Sequence, residues 1–360
     1  MSRLIRAVVD AAAVRHNLRT TRERAVPGAR VMAVVKANAY GHGLVLTALA
    51  LSDDADAFAV ARLEEGLALR AAGIAQPIVL LEGVFSPEEV LEAAHQGFDL
   101  VVHDPLQVEL LEKLQDPHRF NLWIKIDTGM NRLGFRPEEF PAALERVQHL
   151  QSPPLQIRLV THLARADDRD DEETGQQLAR FKAATRGLNY EVSIANSAGI
   201  FGDVPMPCDW VRPGLAIYGV SPFGDKNGRE LGLHPVMTLK TSVIAMRRVP
   251  KGETVGYGGT WRANRDSRIA IIAAGYGDGL ARGLQSGTPV AVDGRRAPLV
   301  GRVSMDMIAV DVTDLSSTGV GTPVVLWGDD LPVEEVARHA GTIPYELLCG
   351  VSQRVPLEPR

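Results

Sequence analysis

Residues 99–114 read DLVVHDPLQVELLEKL, and this stretch holds one whole unit of the fold. The run 99–103 is apolar and nearly continuous rather than alternating, as a strand covered on both faces requires. It is followed at once by a helix-like segment, 105–114, opened by proline at a first-turn position. The same succession recurs from Arg30 to about Val220. Runs at 31–36, 57–62, 77–82, 99–103, 122–127, 156–162, 191–197 and 211–219 predict strands, and segments such as 63–72, 87–96, 105–114, 137–147 and 174–188 predict the helices between them. Eight such units close naturally into a (β/α)8 TIM barrel, with a doubly wound open sheet as the alternative.

After about Leu231 the texture changes. SVIAMRRV, RIAIIAAGYG, TPVAVDG, APLVGRVSMDMIAVDV and TPVVLWG are short strands separated by Gly-, Pro- and Asp-bearing turns, and helical signal returns only in VEEVARHAG and PYELLCG. The expected organisation is an α/β barrel domain over 1–230 and a C-terminal mostly-β domain over 231–360. A chain of 360 residues is more than one core usually holds, so a barrel with an appendage also suits the length. The net charge of -5 is too mild to recruit nucleic acid or an anionic membrane by bulk field, which leaves small-molecule chemistry as the leading class. Cys208 and Cys349 lack metal-ligand spacing, and a metal site is not expected. Arg6, Asp10, Arg15 and His16 interrupt any signal-peptide core, and no 18-residue apolar run follows, so a soluble cytoplasmic protein is expected.

In a barrel, chemistry gathers at the C-terminal ends of the strands. There the chain offers Lys36, Arg132, Thr161, His162, Asn196, Ser197 and Arg212-Pro213-Gly214. Taken singly, Lys36 reads as a solvated strand end, Asn196-Ser197 as a helix cap and Gly214 as a turn. Taken jointly, a lysine delivered from a buried strand among cations can form a Schiff base, and the Ser197 hydroxyl with the amides of Gly214 and Leu215 can cradle a phosphate.

The string AVVKANAYGHG (33–43) resembles the pyridoxal-phosphate attachment motif of alanine racemases. IKIDTGMNRLGF (124–135), THLARAD (161–167), ANSAG (195–199), VRPGLAIYG (211–219), VGYGGTW (255–261), GYGDG (275–279), GRVSMDM (301–307) and RVP (354–356) follow in family order. The resemblance implies interconversion of L- and D-alanine, with D-alanine supplied for peptidoglycan. Lys36 would carry pyridoxal 5'-phosphate as a Schiff base and act as one acid/base, with Tyr257 as the second on the opposite face. A phenol titrates near about 10, so Tyr257 needs activation, which the family arrangement assigns to His162 and Arg212. Arg212 would face the pyridine nitrogen, where a permanent cation makes the ring a weaker electron sink and favours reprotonation at Cα over transamination.

Further positions carry over by the same resemblance. Tyr40 would contact the phosphate, alongside Asn196, Ser197, Gly214 and Leu215. Arg132 would orient the substrate carboxylate and the cofactor's phenolic oxygen. Lys125 matches a lysine that is carbamylated in some relatives, with an unmodified lysine as the alternative. Met305 and Asp306 would line the substrate pocket, and Tyr276 the access corridor. The family's site is completed across a two-fold homodimer, with Tyr257, Tyr276, Met305 and Asp306 reaching the partner's barrel. Gln353 stands where many relatives have tyrosine, which implies a looser entrance that admits serine beside alanine. A decarboxylase of the diaminopimelate or ornithine class is the main rival, but it would offer an acidic partner to the pyridine nitrogen where this chain has Arg212.

Overall fold

The computed structural model describes residues 4–114 and 118–360. These form two compact units. One comprises the residues up to Val14, Tyr40–Gly43 and Tyr218–Arg360; the other comprises Arg15–Ala39 and Leu44–Ile217.

The chain opens with strand β1 (Arg6–Val9). The second unit is a closed parallel barrel of β2 (Arg30–Val34), β3 (Ala57–Val60), β4 (Ile78–Leu80), β5 (Asp99–Val102), β6 (Asn121–Lys125), β7 (Gln156–Val160), β8 (Glu191–Asn196) and β9 (Trp210–Arg212). Closure is made by β2 against β9, with Arg30 opposite Trp210. The expected TIM barrel is therefore present, and its continuous apolar runs are the reason: Val31, Met32, Ala33 and Val34 are all buried, and β3, β4 and β5 are buried at every position.

All eight barrel strands stop short of the runs read for them, and two of these ends shape the mouth. β2 stops at Val34, before Lys36. The eighth run, expected over 211–219, is a strand only through Arg212, because Pro213 has no N–H for the ladder and the chain turns into a 3-10 segment, Leu215–Tyr218. Helices Ala11–Arg24 and Leu44–Leu51 were not anticipated.

The barrel floor is packed by charge on aromatic rings. Arg158 lies 5.0 Å from the ring of Trp123 and 5.5 Å from that of Trp210, and it pairs with Asp99 at 3.4 Å and Glu191 at 2.8 Å. Trp123 and Trp210 meet edge to face at 5.7 Å across non-neighbouring strands, so these groups fill the interior.

The first unit is built on β10 (Met237–Val249), β13 (Ser267–Ile272), β14 (Pro289–Val292), β15 (Arg295–Val300), β16 (Ile308–Asp311), β17 (Pro323–Trp327) and β18 (Leu357–Pro359), with a two-stranded piece of β11 (Thr254–Val255) and β12 (Trp261–Arg262). The mostly-β character expected after Leu231 is thus observed. The long strand β10 pairs with β17 early and with β13 late, with a shift of register between Val243 and Ala245, which bends the sheet round into a ring. The hairpin β14–β15 turns on Asp293-Gly294, both at positive φ, as a tight two-residue turn demands. β1 runs antiparallel to β10 and parallel to β18 in this sheet.

Candidate active site

The parallel barrel strands end on one side, and the residues that follow them share a mouth. Lys36 follows Val35 directly after β2 and is half-buried. Instead of ending a strand, as the run 31–36 had implied, it starts a left-handed turn: Ala37, Asn38, Ala39 and Tyr40 all have φ between 52 and 54. For residues with a Cβ this costs about 1–2 kcal/mol each, so the turn needs fixing from outside. Glu65 does so by accepting the Ala37 N–H at 2.7 Å and the Ala61 N–H at 2.8 Å. Asn38 Oδ1 accepts from Leu44 N–H at 2.8 Å, and Ala39 N–H reaches the Val35 carbonyl.

Arg212, at the end of β9, is buried. Its Nη1 donates to Ser193 Oγ and its Nη2 to the Thr161 carbonyl, both at 2.6 Å, with His162 Nδ1 at 3.4 Å from Nη2. No ion pair to Arg212 occurs among the described residues. Burial lowers its pKa to about 10, which leaves it charged at neutral pH. His162 is pushed down to about 2 by burial and by Arg212, Lys125, Arg132 and Lys36, so its imidazole is neutral. Lys125, at the end of β6, is lowered to about 8 by burial and by Arg212, Arg132 and Lys36, against the opposing pull of Asp127. The mouth therefore gathers four cations, and an anion is the natural complement.

Arg132 is exposed in the loop after β6, which Asp127 shapes by accepting the N–H groups of Gly129 and Asn131. Asn196 and Ser197 serve the helix-cap reading and also tie two strand-end loops together. Asn196 Oδ1 caps the short helix Ser197–Phe201 through the Gly199 N–H at 3.0 Å. Ser197 Oγ accepts from Gly214 N–H at 3.1 Å and Ala216 N–H at 3.2 Å, drawing the two loops together. Leu215 opens the 3-10 turn, where a first-turn N–H has no acceptor within the helix itself.

In the other unit, Tyr40 is buried against Tyr218, with ring centroids 4.8 Å apart, and near Tyr345 at 5.5 Å. Burial raises its phenol pKa, so it remains a hydrogen-bond donor. Tyr257 sits in the turn Tyr257–Gly259 and is 70% exposed. Tyr276, Met305 and Asp306 are exposed on two turns that touch: Tyr276 N–H donates to Ser304 O and Gly277 N–H to Met305 O.

Several supporting residues escaped the sequence reading. Gln177 is fully buried and binds the Ala164 N–H, the His162 carbonyl and Thr128 Oγ1, fixing the backbone at His162. A polar residue on the inward stripe of its helix was the available signal. Glu65 gave none, and Asp278 lies within the motif GYGDG without a role of its own read there.

Sequence models of the alanine racemase N-terminal and C-terminal domains match residues 9–222 and 236–358. The catabolic alanine racemase of Pseudomonas putida is 47% identical over 352 residues, 98% of this chain and 97% of that protein. The crystal structure of the biosynthetic alanine racemase of Pseudomonas aeruginosa superposes with a TM-score of 0.96 at 44% identity, over 100% of both chains. That of the Bartonella henselae alanine racemase with covalently bound pyridoxal phosphate gives 0.91 at 33% identity, also over 100% of both. Strand-end cations, a paired β unit and similarity over both domains lead to one assignment: the chain belongs to the alanine racemase family of isomerases.

Proposed function

We propose that the chain interconverts L-alanine and D-alanine by a two-base mechanism, with pyridoxal 5'-phosphate held at the barrel mouth and Tyr257 contributed by a second copy of the chain. The observation that carries this reading is Arg212, a buried guanidinium without a carboxylate partner among the described residues, set among Lys36, Lys125 and Arg132. A phosphate ester and an electron-rich ring nitrogen complement a site of this charge. The residues thus fit the group: Lys36 would offer the amine, the Ser197 hydroxyl and the Leu215 N–H the phosphate-side donors, with Gly214 N–H turning to the phosphate from Ser197 Oγ, and Arg212 the charge toward the ring. When bound, pyridoxal phosphate draws electrons from the substrate Cα and loosens its proton.

The chain's own groups then do the rest. Lys36 takes or returns the Cα proton on one face, and the partner subunit's Tyr257 does so on the other. Arg132 holds the substrate carboxylate, and Met305, Asp306 and Tyr276 bound the space around it. Arg212 is too basic to yield a proton to the ring nitrogen, which keeps the ring a modest electron sink and returns the proton to Cα. His162, held neutral, can pass hydrogen bonding from Arg212 to the phenol without adding charge. Because Lys125 titrates near about 8, part of it is uncharged at neutral pH and can add carbon dioxide. The new N–C bond releases a proton to water and leaves a carbamate anion that offsets the cations around it.

A two-fold homodimer follows from the same reading. Tyr257, Tyr276, Met305 and Met307 expose apolar surface on one unit, as residues awaiting a partner do. Cys208 and Cys349 are not joined in a disulfide, in keeping with a cytoplasmic setting, and among the described residues no helix is long and apolar enough to cross a membrane. The relatives include both a biosynthetic and a catabolic enzyme, and either direction uses the same groups.

Incubation with L-alanine in deuterated water tests the reading. D-alanine carrying deuterium at Cα, without carbon dioxide, is expected; carbon dioxide and an amine would indicate decarboxylation instead. Mixing Lys36→Ala chains with Tyr257→Phe chains should restore activity if the site is shared between copies.

A further inference from the structure

Three segments of the β unit meet at one guanidinium. Arg354 Nε donates to Asp278 Oδ1 at 2.7 Å, and its Nη2 donates to Asp306 Oδ1 at 2.6 Å. The two carboxylates differ in kind. Asp278 is buried and closes the Tyr276 turn by accepting the Gly275 N–H on its other oxygen at 2.9 Å. Its carbonyl accepts the Ser352 N–H, and Ser352 Oγ donates back to the Gly277 carbonyl, so the turn and the segment bearing Arg354 are stitched together. Asp306 is exposed and lies on the loop between β15 and β16. The backbones are already in contact: a Cβ on Gly275 would lie 2.3 Å from the Met305 carbonyl, and one on Gly279 would lie 2.1 Å from that of Gly350. Glycine is thus required at both points.

We infer that Arg354 is a positioning residue for substrate binding, which holds the Tyr276 turn and the Met305–Asp306 loop as one face and neutralises the two carboxylates beside it. This rests on the proposed function, in which that face borders the alanine carboxylate. An exposed ion pair alone contributes little, but here one end is anchored in a buried carboxylate, so the guanidinium has a fixed place from which to hold Asp306. Without it, Asp306 is released and two negative charges face an anionic substrate group. The loss falls on binding of alanine rather than on proton transfer at Cα.

The test compares steady-state constants of the full-length holoenzyme and its Arg354→Ala and Arg354→Lys variants, alongside thermal unfolding. Removing charge-assisted hydrogen bonds of this kind should raise KM for alanine about tenfold in Arg354→Ala, with kcat within about threefold of wild type. Arg354→Lys, which keeps the charge, should recover most of the KM. A lower Tm with KM unmoved, or a lysine variant no better than alanine, overturns the inference. If Arg354→Ala does not fold, Asp278→Asn takes its place: a raised KM supports the clip and an unchanged one refutes it. A wild-type chain that does not racemise alanine removes the reading beneath, whereas an active wild type with an unmoved variant KM removes this inference alone.

Discussion

Two arginines lie buried inside the same barrel and are treated in opposite ways. On the floor, Arg158 is packed against Trp123 and Trp210 and matched by Asp99 and Glu191. At the mouth, Arg212 is held by the Thr161 carbonyl and the Ser193 hydroxyl, with further cations nearby instead of carboxylates. A buried charge left uncompensated is costly, so the fold keeps one only where something else completes it. Balanced charge marks the part of the interior that holds the barrel together. Unbalanced charge marks the part suited to an anionic ligand.

The largest expected effect bears on the mouth. On the proposed function, Lys36→Ala should reduce racemisation by about four orders of magnitude or more, measured by chiral chromatography, because the covalent anchor and one base would be lost together. A fully folded variant retaining activity would break the assignment. Tyr257→Phe should lose about two to four orders of magnitude, with Cα deuterium uptake from one face persisting while inversion stops. Equal loss of exchange and inversion would argue against two separate bases.

The floor gives the opposite pattern. Asp99→Ala should destabilise the protein by about 1–3 kcal/mol in denaturant unfolding, because the buried Trp123 indole N–H loses its acceptor and Arg158 keeps only Glu191 as a carboxylate partner, and it should leave KM and kcat of the surviving folded enzyme unchanged. If it altered kinetics and left stability alone, the contrast between floor and mouth would fail. Smaller effects appear in pH dependence. The Lys125 amine is depressed to about 8 in the folded chain, so the unfolded chain binds the extra proton between about pH 8 and 10.5. Its contribution to the stability of the cofactor-free protein therefore rises with pH across that window, and Lys125→Met should remove this rise. His162 acts in the same sense on the acid side. Its folded pKa of about 2 lies below the usual imidazole value, so stability is lost as pH falls below about 6.5, and His162→Asn should soften that loss. The smallest change concerns Gln353, which is exposed next to Arg354. Gln353→Tyr should lower the ratio of serine to alanine turnover by a few-fold, about 1 kcal/mol at most.

The barrel was legible because both of its faces are covered, which writes each strand as a continuous apolar run that periodicity can find. Lys36, Arg212 and Tyr257 stand out in the sequence through their motifs, and the strand-end rule alone groups the barrel residues. What escaped was non-local or sterically unusual. The left-handed turn after Lys36 has no composition signal, since three of its residues are alanine or tyrosine and only Asn38 is at ease there. The four residues of β1 are too few to announce a strand, and their partners lie more than two hundred positions away, at 237–240 and 357–359. Arg354 was visible within Arg-Val-Pro, yet its two carboxylates come from separate turns.

The position of β1 also bears on how the molecule is made. It leaves the ribosome before any barrel strand, yet one neighbour, β10, is synthesised after the barrel is complete, and the other, β18, comes later still. The barrel can therefore close during translation, while the second unit must wait for its sheet to be finished from both flanks. The longest-range strand pairings described, β1 with β10 and with β18, thus fall in the unit that carries Tyr257.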